Sequence, residues 1–124
     1  VKPDTIAKSL AIGTPADGFY ALKVFKDTNA AADDVTDDEI REGIRLLAET
    51  EGIFAETAGG VTVGVAKKLI ASGAIPADDS AVLCITGNGL KTIDAVEDHV
   101  GKPHEIKPSL REFDAFVEKE LTIK

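Results

Sequence analysis

The sequence predicts an α/β fold, a mostly parallel sheet with flanking helices. Three observations carry that expectation. Helix-type and strand-type patterns alternate along the chain. The run Ala81-Val82-Leu83-Cys84-Ile85 is continuously apolar with β-branched members, the pattern of a central strand buried on both faces, and it ends in Thr86-Gly87-Asn88-Gly89. Thr36-Asp37-Asp38-Glu39 opens an apolar-periodic segment with a capping box, in which the Thr hydroxyl and the Glu carboxylate each satisfy an orphan amide.

The elements follow in order. Residues 4–12 alternate loosely and stop at the loop Gly13-Thr14-Pro15. Asp17 then caps a predicted helix over 18–28, with Tyr20, Ala21, Val24 and Phe25 at helical spacing. Residues 30–35 read as a short strand or turn. The capped helix comes next. Ile40, Ile44, Leu47 and Ala48 repeat on its one face, it runs to about Thr50, and Gly52 closes it. Ile53-Phe54-Ala55 is a short buried strand or turn. A helix over 58–71 gathers Val61, Val65, Leu69 and Ile70 on one face and ends at Gly73. Ile75-Pro76-Ala77-Asp78 is a turn ahead of the strand at 81–85, and residues 89–98 are either loop or a short helix. His104-Glu105-Ile106-Lys107 is expected as a final strand. Ser109, with Glu112 three residues on, marks another capping box, and Leu110, Phe113, Phe116 and Val117 face the last helix inward. No repeat, low-complexity stretch or long linker divides the chain, so residues 1–124 read as a single α/β piece.

Composition narrows the function classes. Hydrophobic residues make up 44 % of the 124, enough for a packed core. The net charge of −8 argues against nucleic acid and against an anionic membrane surface, since both need clustered Lys and Arg. No apolar run has the length of a membrane span. The single Cys84 rules out an internal disulfide and fits a reducing cytoplasm. Methionine is absent, even at position 1, and Val1-Lys2-Pro3-Asp4 reads as ordinary folded chain, so a fragment of a longer protein is expected.

Ligands of parallel sheets sit at the carboxyl ends of the strands, where Thr86 stands. Gly87 and Gly89 let the backbone approach a ligand closely, and Asn88 both donates and accepts. The alternatives are a ligand site and a plain Gly-rich turn with a solvated Thr. The run is neither a dinucleotide fingerprint nor a Walker loop. Ala58-Gly59-Gly60 opens a helix just after Glu56-Thr57, a start suited to an anion or simply to close packing. The acidic cluster Asp33, Asp34, Asp37, Asp38 and Glu39 lacks the EF-hand spacing and is better read as a helix start that favours negative charge, so no metal is expected. His99 and His104 lack metal-ligand spacing, and Cys84 reads as an inert buried thiol. Lys67, Lys68 and Lys91 are read as solvated lysines in preference to phosphate ligands.

Three segments, in this order and at this spacing, resemble the threonine synthases. They are Thr5-Ile6-Ala7-Lys8-Ser9-Leu10-Ala11-Ile12-Gly13-Thr14-Pro15-Ala16, Glu51-Gly52-Ile53-Phe54-Ala55-Glu56-Thr57-Ala58-Gly59-Gly60-Val61-Thr62 and Thr86-Gly87-Asn88-Gly89-Leu90-Lys91-Thr92. The likeness spans nearly the whole chain and points to the carboxyl-terminal part of such an enzyme. Two departures stand out. Many members carry Asn in place of Thr14, and Pro in place of Thr57.

The resemblance implies a pyridoxal-phosphate enzyme of the tryptophan-synthase-β-like architecture (fold type II). It implies conversion of O-phospho-L-homoserine and water to L-threonine and phosphate by a cytoplasmic homodimer. It assigns cofactor binding to Thr86, whose hydroxyl would face the pyridine nitrogen, with Gly87 and Asn88 beside it. Glu56 and Ser9 are nearby cofactor-site residues with no fixed role. No lysine here sits in the family's cofactor-linking context, so no catalytic residue is assigned, and the chain by itself is expected to be inactive. The other readings are a related pyridoxal-phosphate dehydratase or β-replacement enzyme, and a non-catalytic α/β module that binds a phosphorylated small molecule.

Overall fold

A computed structural model describes residues 2–101 and 103–120; Val1, Lys102 and residues 121–124 lie outside the described residues. Four α-helices dominate: α1 (Gly18–Thr28), α2 (Asp37–Glu51), α3 (Thr57–Ala71) and α4 (Leu110–Glu120). Two 3₁₀ segments, Lys8–Leu10 and Gly89–Ala95, complete the regular structure of the described residues. None of these helices is long and apolar enough to cross a membrane.

The predicted parallel sheet does not form among the described residues. Their one β-pairing is an isolated antiparallel bridge between Ala55 and Asn88. Residues 81–85 take no regular structure and pair with no strand among the described residues, and Val82 is 90 % exposed. Cys84 is correspondingly exposed rather than buried. Residues 104–107 likewise pair with nothing in a ladder. The reason is physical. An apolar, β-branched run reports a tendency to be extended and covered, but a strand exists only when another backbone takes up its N–H and C=O groups.

The helices form where their local signals place them. At α2 the capping box is complete: the Glu39 N–H donates to Thr36 Oγ1 at 3.3 Å, and the Thr36 N–H donates to Glu39 Oε2 at 2.7 Å. Gly52 ends α2 in the left-handed region, at φ 67°, a conformation that costs glycine little. α3 starts one residue earlier than its apolar pattern suggests. α4 keeps half of its box, the Glu112 N–H donating to Ser109 Oγ at 3.3 Å. α1 has the predicted bounds but buries no residue, and neither does α4.

α2 is the hub. Its face carries Ile40 and Ile44 into a core shared with Ala7, Ala95 and Val96. The α2–α3 contact is backbone against backbone. A Cβ on Gly43 would stand 2.5 Å from the Gly60 carbonyl oxygen, and one on Gly60 would stand 2.5 Å from the Ile40 carbonyl oxygen. The first turn of α2 also holds the amino-terminal segment, because Thr5 Oγ1 donates to Asp37 Oδ1 at 2.6 Å and the Ile6 N–H points at both carboxylate oxygens. On the far side the Arg41 Nε–H donates to the Ala95 carbonyl at 3.0 Å, fixing the second 3₁₀ segment. The acidic cluster is thus absorbed by structure. Asp37 ties down the chain, Asp38 pairs with Arg41 at 2.8 Å, and Glu39 caps its helix.

Lys68 joins α3 to the start of α2, 3.0 Å from Glu39 Oε2 and donating to the Asp34 carbonyl at 2.9 Å. The Thr36 amide, and after it the Lys68 ammonium, hold the Glu39 carboxyl below its ordinary range. Glu39 in turn raises Lys68. A lowered carboxylate contributes stability that is present above its ordinary pKa and is lost as pH falls through the lowered value. The raised lysine contributes below its ordinary pKa and stops as pH rises through the raised one.

Two outcomes are expected. Gly60→Ala should lower stability by about 1–3 kcal/mol, although the same change at a free helical site gains about 1 kcal/mol; denaturant unfolding followed by circular dichroism gives the sign. In the same assay wild type should exceed Glu39→Gln at neutral pH, and the gap should close on acidification. A gap independent of pH would contradict the Glu39 assignment.

Candidate functional site

Two distant segments meet at the amino terminus of α3. The Glu56 N–H donates to the Gly87 carbonyl at 3.0 Å, and the Gly89 N–H donates to the Phe54 carbonyl at 2.9 Å. These bonds make the Ala55–Asn88 bridge. A third link follows, the Thr57 N–H donating to Thr92 Oγ1 at 3.2 Å. Within the turn, Asn88 Oδ1 accepts the Leu90 N–H at 2.9 Å and so starts the second 3₁₀ segment.

Both glycines of the turn are closely backed by side chains. A Cβ on Gly87 would fall 1.8 Å from Glu56 Oε1, and one on Gly89 would fall 2.6 Å from the Phe54 ring. The Glu56 carboxylate is therefore pressed onto the turn. Its side chain is 12 % exposed, and Oε2 lies 3.4 Å from Lys91 Nζ. Glu56 is the N-cap residue of α3 by backbone geometry, but its side chain makes no capping hydrogen bond. Thr57 is fully buried, and its Oγ1 has no partner. Close packing continues into α3, where a Cβ on Gly59 would come 2.7 Å from that of Ala55.

The structure thus joins Glu56, Gly87 and Asn88. Thr86 is exposed beside them, and its hydroxyl makes no hydrogen bond among the described residues. It follows a segment without regular structure rather than a sheet strand. Ser9 lies on the first 3₁₀ segment, exposed, with no hydrogen bond to the other four. Thr92 and Phe54 were not singled out in the sequence. Thr92 acts on an amide 35 residues away, a relation that no local spacing reveals. Lys91, read as solvated, is paired with Glu56 although its own side chain is 62 % exposed. Lys67 and Lys68 answer Glu42 and Glu39 across the helix pair.

Two grooves lie elsewhere. One of about 270 Å³ runs between α2 and α3 past Glu42, Arg45, Leu46 and Lys67, and one of about 250 Å³ lies by Arg41, Val96 and His99. Neither is lined by Glu56 or the turn at 86–89. Among the described residues, no three His, Cys, Asp or Glu side chains gather as a metal site would require.

The family model for pyridoxal-phosphate dependent enzymes matches residues 1–87, which include Ser9, Glu56, Thr86 and Gly87. The chain belongs to this family. Within the pyridoxal-phosphate dependent enzymes it is similar to curated threonine synthases, as the three segments suggest. The threonine synthase of Halalkalibacterium halodurans is 43 % identical over 90 residues, covering 73 % of this chain and 25 % of that protein. That of Methanocaldococcus jannaschii is 42 % identical over 93 residues, 75 % of this chain and 23 % of its own. That of Synechocystis is 36 % identical over 110 residues, 88 % and 28 % respectively. The chain therefore spans about a quarter of the length of these relatives. The cofactor of the family is pyridoxal phosphate.

The two turn glycines should respond differently to alanine. Gly87→Ala meets the movable end of Glu56, which can swing out and release Lys91 at little cost. Gly89→Ala meets the Phe54 ring, which packs against the core, and should lose about 1–3 kcal/mol. Equal stabilities in denaturant unfolding would contradict this view of the turn.

Proposed function

We propose that the chain is the carboxyl-terminal portion of a pyridoxal-phosphate lyase of the threonine synthase kind, converting O-phospho-L-homoserine and water to L-threonine and phosphate. The observation that supports this most is the exposed Thr86 hydroxyl beside a turn held to the start of α3. Pyridoxal phosphate, when bound, supplies an electron-accepting ring that stabilises negative charge on the substrate. The donor set suits it. Thr86 offers a neutral O–H, and the nearest turn carboxylate, Glu56, is already paired with Lys91.

In this reading the Thr86 hydroxyl would donate a hydrogen bond to the pyridine nitrogen. A hydroxyl leaves that nitrogen unprotonated, whereas a carboxylate would hold it protonated. Thr86 thereby moderates the electron demand of the ring and favours elimination and replacement over transamination. Gly87 and Asn88 contribute backbone, since the Asn88 side chain is committed to the Leu90 amide. Glu56 keeps the turn in place, and Ser9 contributes a hydroxyl from the amino-terminal segment. The working enzyme is a cytoplasmic homodimer that takes a small-molecule substrate and binds neither nucleic acid nor membrane. The chain by itself is inactive.

In the enzyme that carries this segment, Thr86→Asp should retain cofactor but slow threonine formation from phosphohomoserine by at least about ten-fold, with Thr86→Ser near wild type. Unchanged turnover in the aspartate variant would count against the role of Thr86. Faster ammonia release from threonine than phosphate release from phosphohomoserine would favour a dehydratase. The chain alone, mixed with pyridoxal phosphate and borohydride, should acquire no label confined to one lysine.

A further inference from the structure

The amide of Thr57 is the first of α3, one of the donors that a helix leaves without an internal partner. The N-cap residue normally supplies an acceptor near this end, but the Glu56 side chain does not. The acceptor comes instead from outside the helix, from Thr92 Oγ1. Other groups nearby are committed or enclosed. Asn88 Oδ1 serves the Leu90 amide, and Glu56 faces Gly87 and Lys91. Thr92 is also where the second 3₁₀ segment breaks, at φ −138° and ψ 40°. The chain from 86 to 92 is thus fastened to the start of α3 at both ends, by the Glu56–Gly87 and Gly89–Phe54 bonds and then by Thr92.

We propose that Thr92 is a positioning residue: it caps α3 from outside and thereby fixes the turn at 86–89, with the Thr86 hydroxyl, against that helix. Its bearing on the cofactor rests on the reading of Thr86 given above. The coupling of Thr92 to the turn does not.

Three variants test it. Thr92→Val keeps the shape and removes the acceptor, and Thr92→Ser keeps the acceptor. Thr57→Pro removes the donor from the other side. Proline suits the first position of a helix, and Glu56 at φ −68°, ψ 170° has the backbone that a residue before proline adopts. Amide hydrogen exchange on this chain reads the Glu56 and Gly89 amides, which carry the two bonds of the bridge. Thr92→Val and Thr57→Pro should each speed both by about five- to ten-fold, the double variant no more than either alone, and Thr92→Ser should stay near wild type. Unchanged protection at both amides in Thr92→Val, with only overall stability lowered, would overturn the proposal. In the enzyme loaded with pyridoxal phosphate, Thr92→Val should shift the pH at which the cofactor absorption changes, and Thr92→Ser should restore it. A wild-type absorption profile in Thr92→Val would refute the positioning role toward the cofactor. Thr86→Ala separates the two ideas. If it leaves the absorption unchanged, the reading of Thr86 fails, while exchange at Glu56 and Gly89 still decides the part played by Thr92.

Discussion

Where α2 crosses α3, no side chain separates the two backbones. Gly43 and Gly60 each present only hydrogen, so each helix lies within reach of the other's carbonyls. Almost everything else depends on that distance. Val61 of α3 packs against the core of Ile40 and Ile44, and Lys68 of α3 can reach both Glu39 and the Asp34 carbonyl. The start of α3 carries Glu56 and Thr57, so the same crossing fixes where the turn at 86–89 must lie. A methyl group at the crossing would be felt at the site through a rigid helix, not through any direct contact.

The site is built from fasteners more than from a cavity. Two backbone bonds, one side-chain bond and one ion pair hold residues 86–92 to residues 54–57. Each is modest alone, on the order of 1 kcal/mol net. Together they cross-link segments that are far apart in sequence, and that rigidity is what the role proposed for Thr86 requires. The Thr57 hydroxyl is the exception, enclosed without a partner.

Legibility in the sequence followed the range of the interaction. The box at Thr36 and Glu39, the stop at Gly52 and the span of α3 rest on contacts within a turn, and each is found where the residues place it. The sheet failed because pairing is non-local. Ala81 to Ile85 has the composition of a strand, yet composition does not supply the neighbouring backbone. Helix faces were visible, but not what covers them: Tyr20 and Val24 keep helical spacing and remain exposed. At the site, the join between Glu56 and Gly87 was foreshadowed only by both segments looking unusual. The acceptor role of Thr92 left no trace, since a threonine in a turn has many local uses.

The carboxylate of Asp37 has a consequence for the stretch before it. By accepting from Thr5 and Ile6 it draws residue 5 beside residue 37. Ile6, Ala7 and Val35 stay on the core, while α1, between them, buries no residue. Lys68 and the packing of Val35 on Gly64 hold the far end. Such a loop is entropically cheap to resize, since doubling the length of a closed loop costs only about 0.6 kcal/mol. The neck at Asp37 therefore divides the sequence into a part that must keep its length and a part that is free to change it, which makes residues 13–33 the natural place for this chain to accept an insertion or a graft.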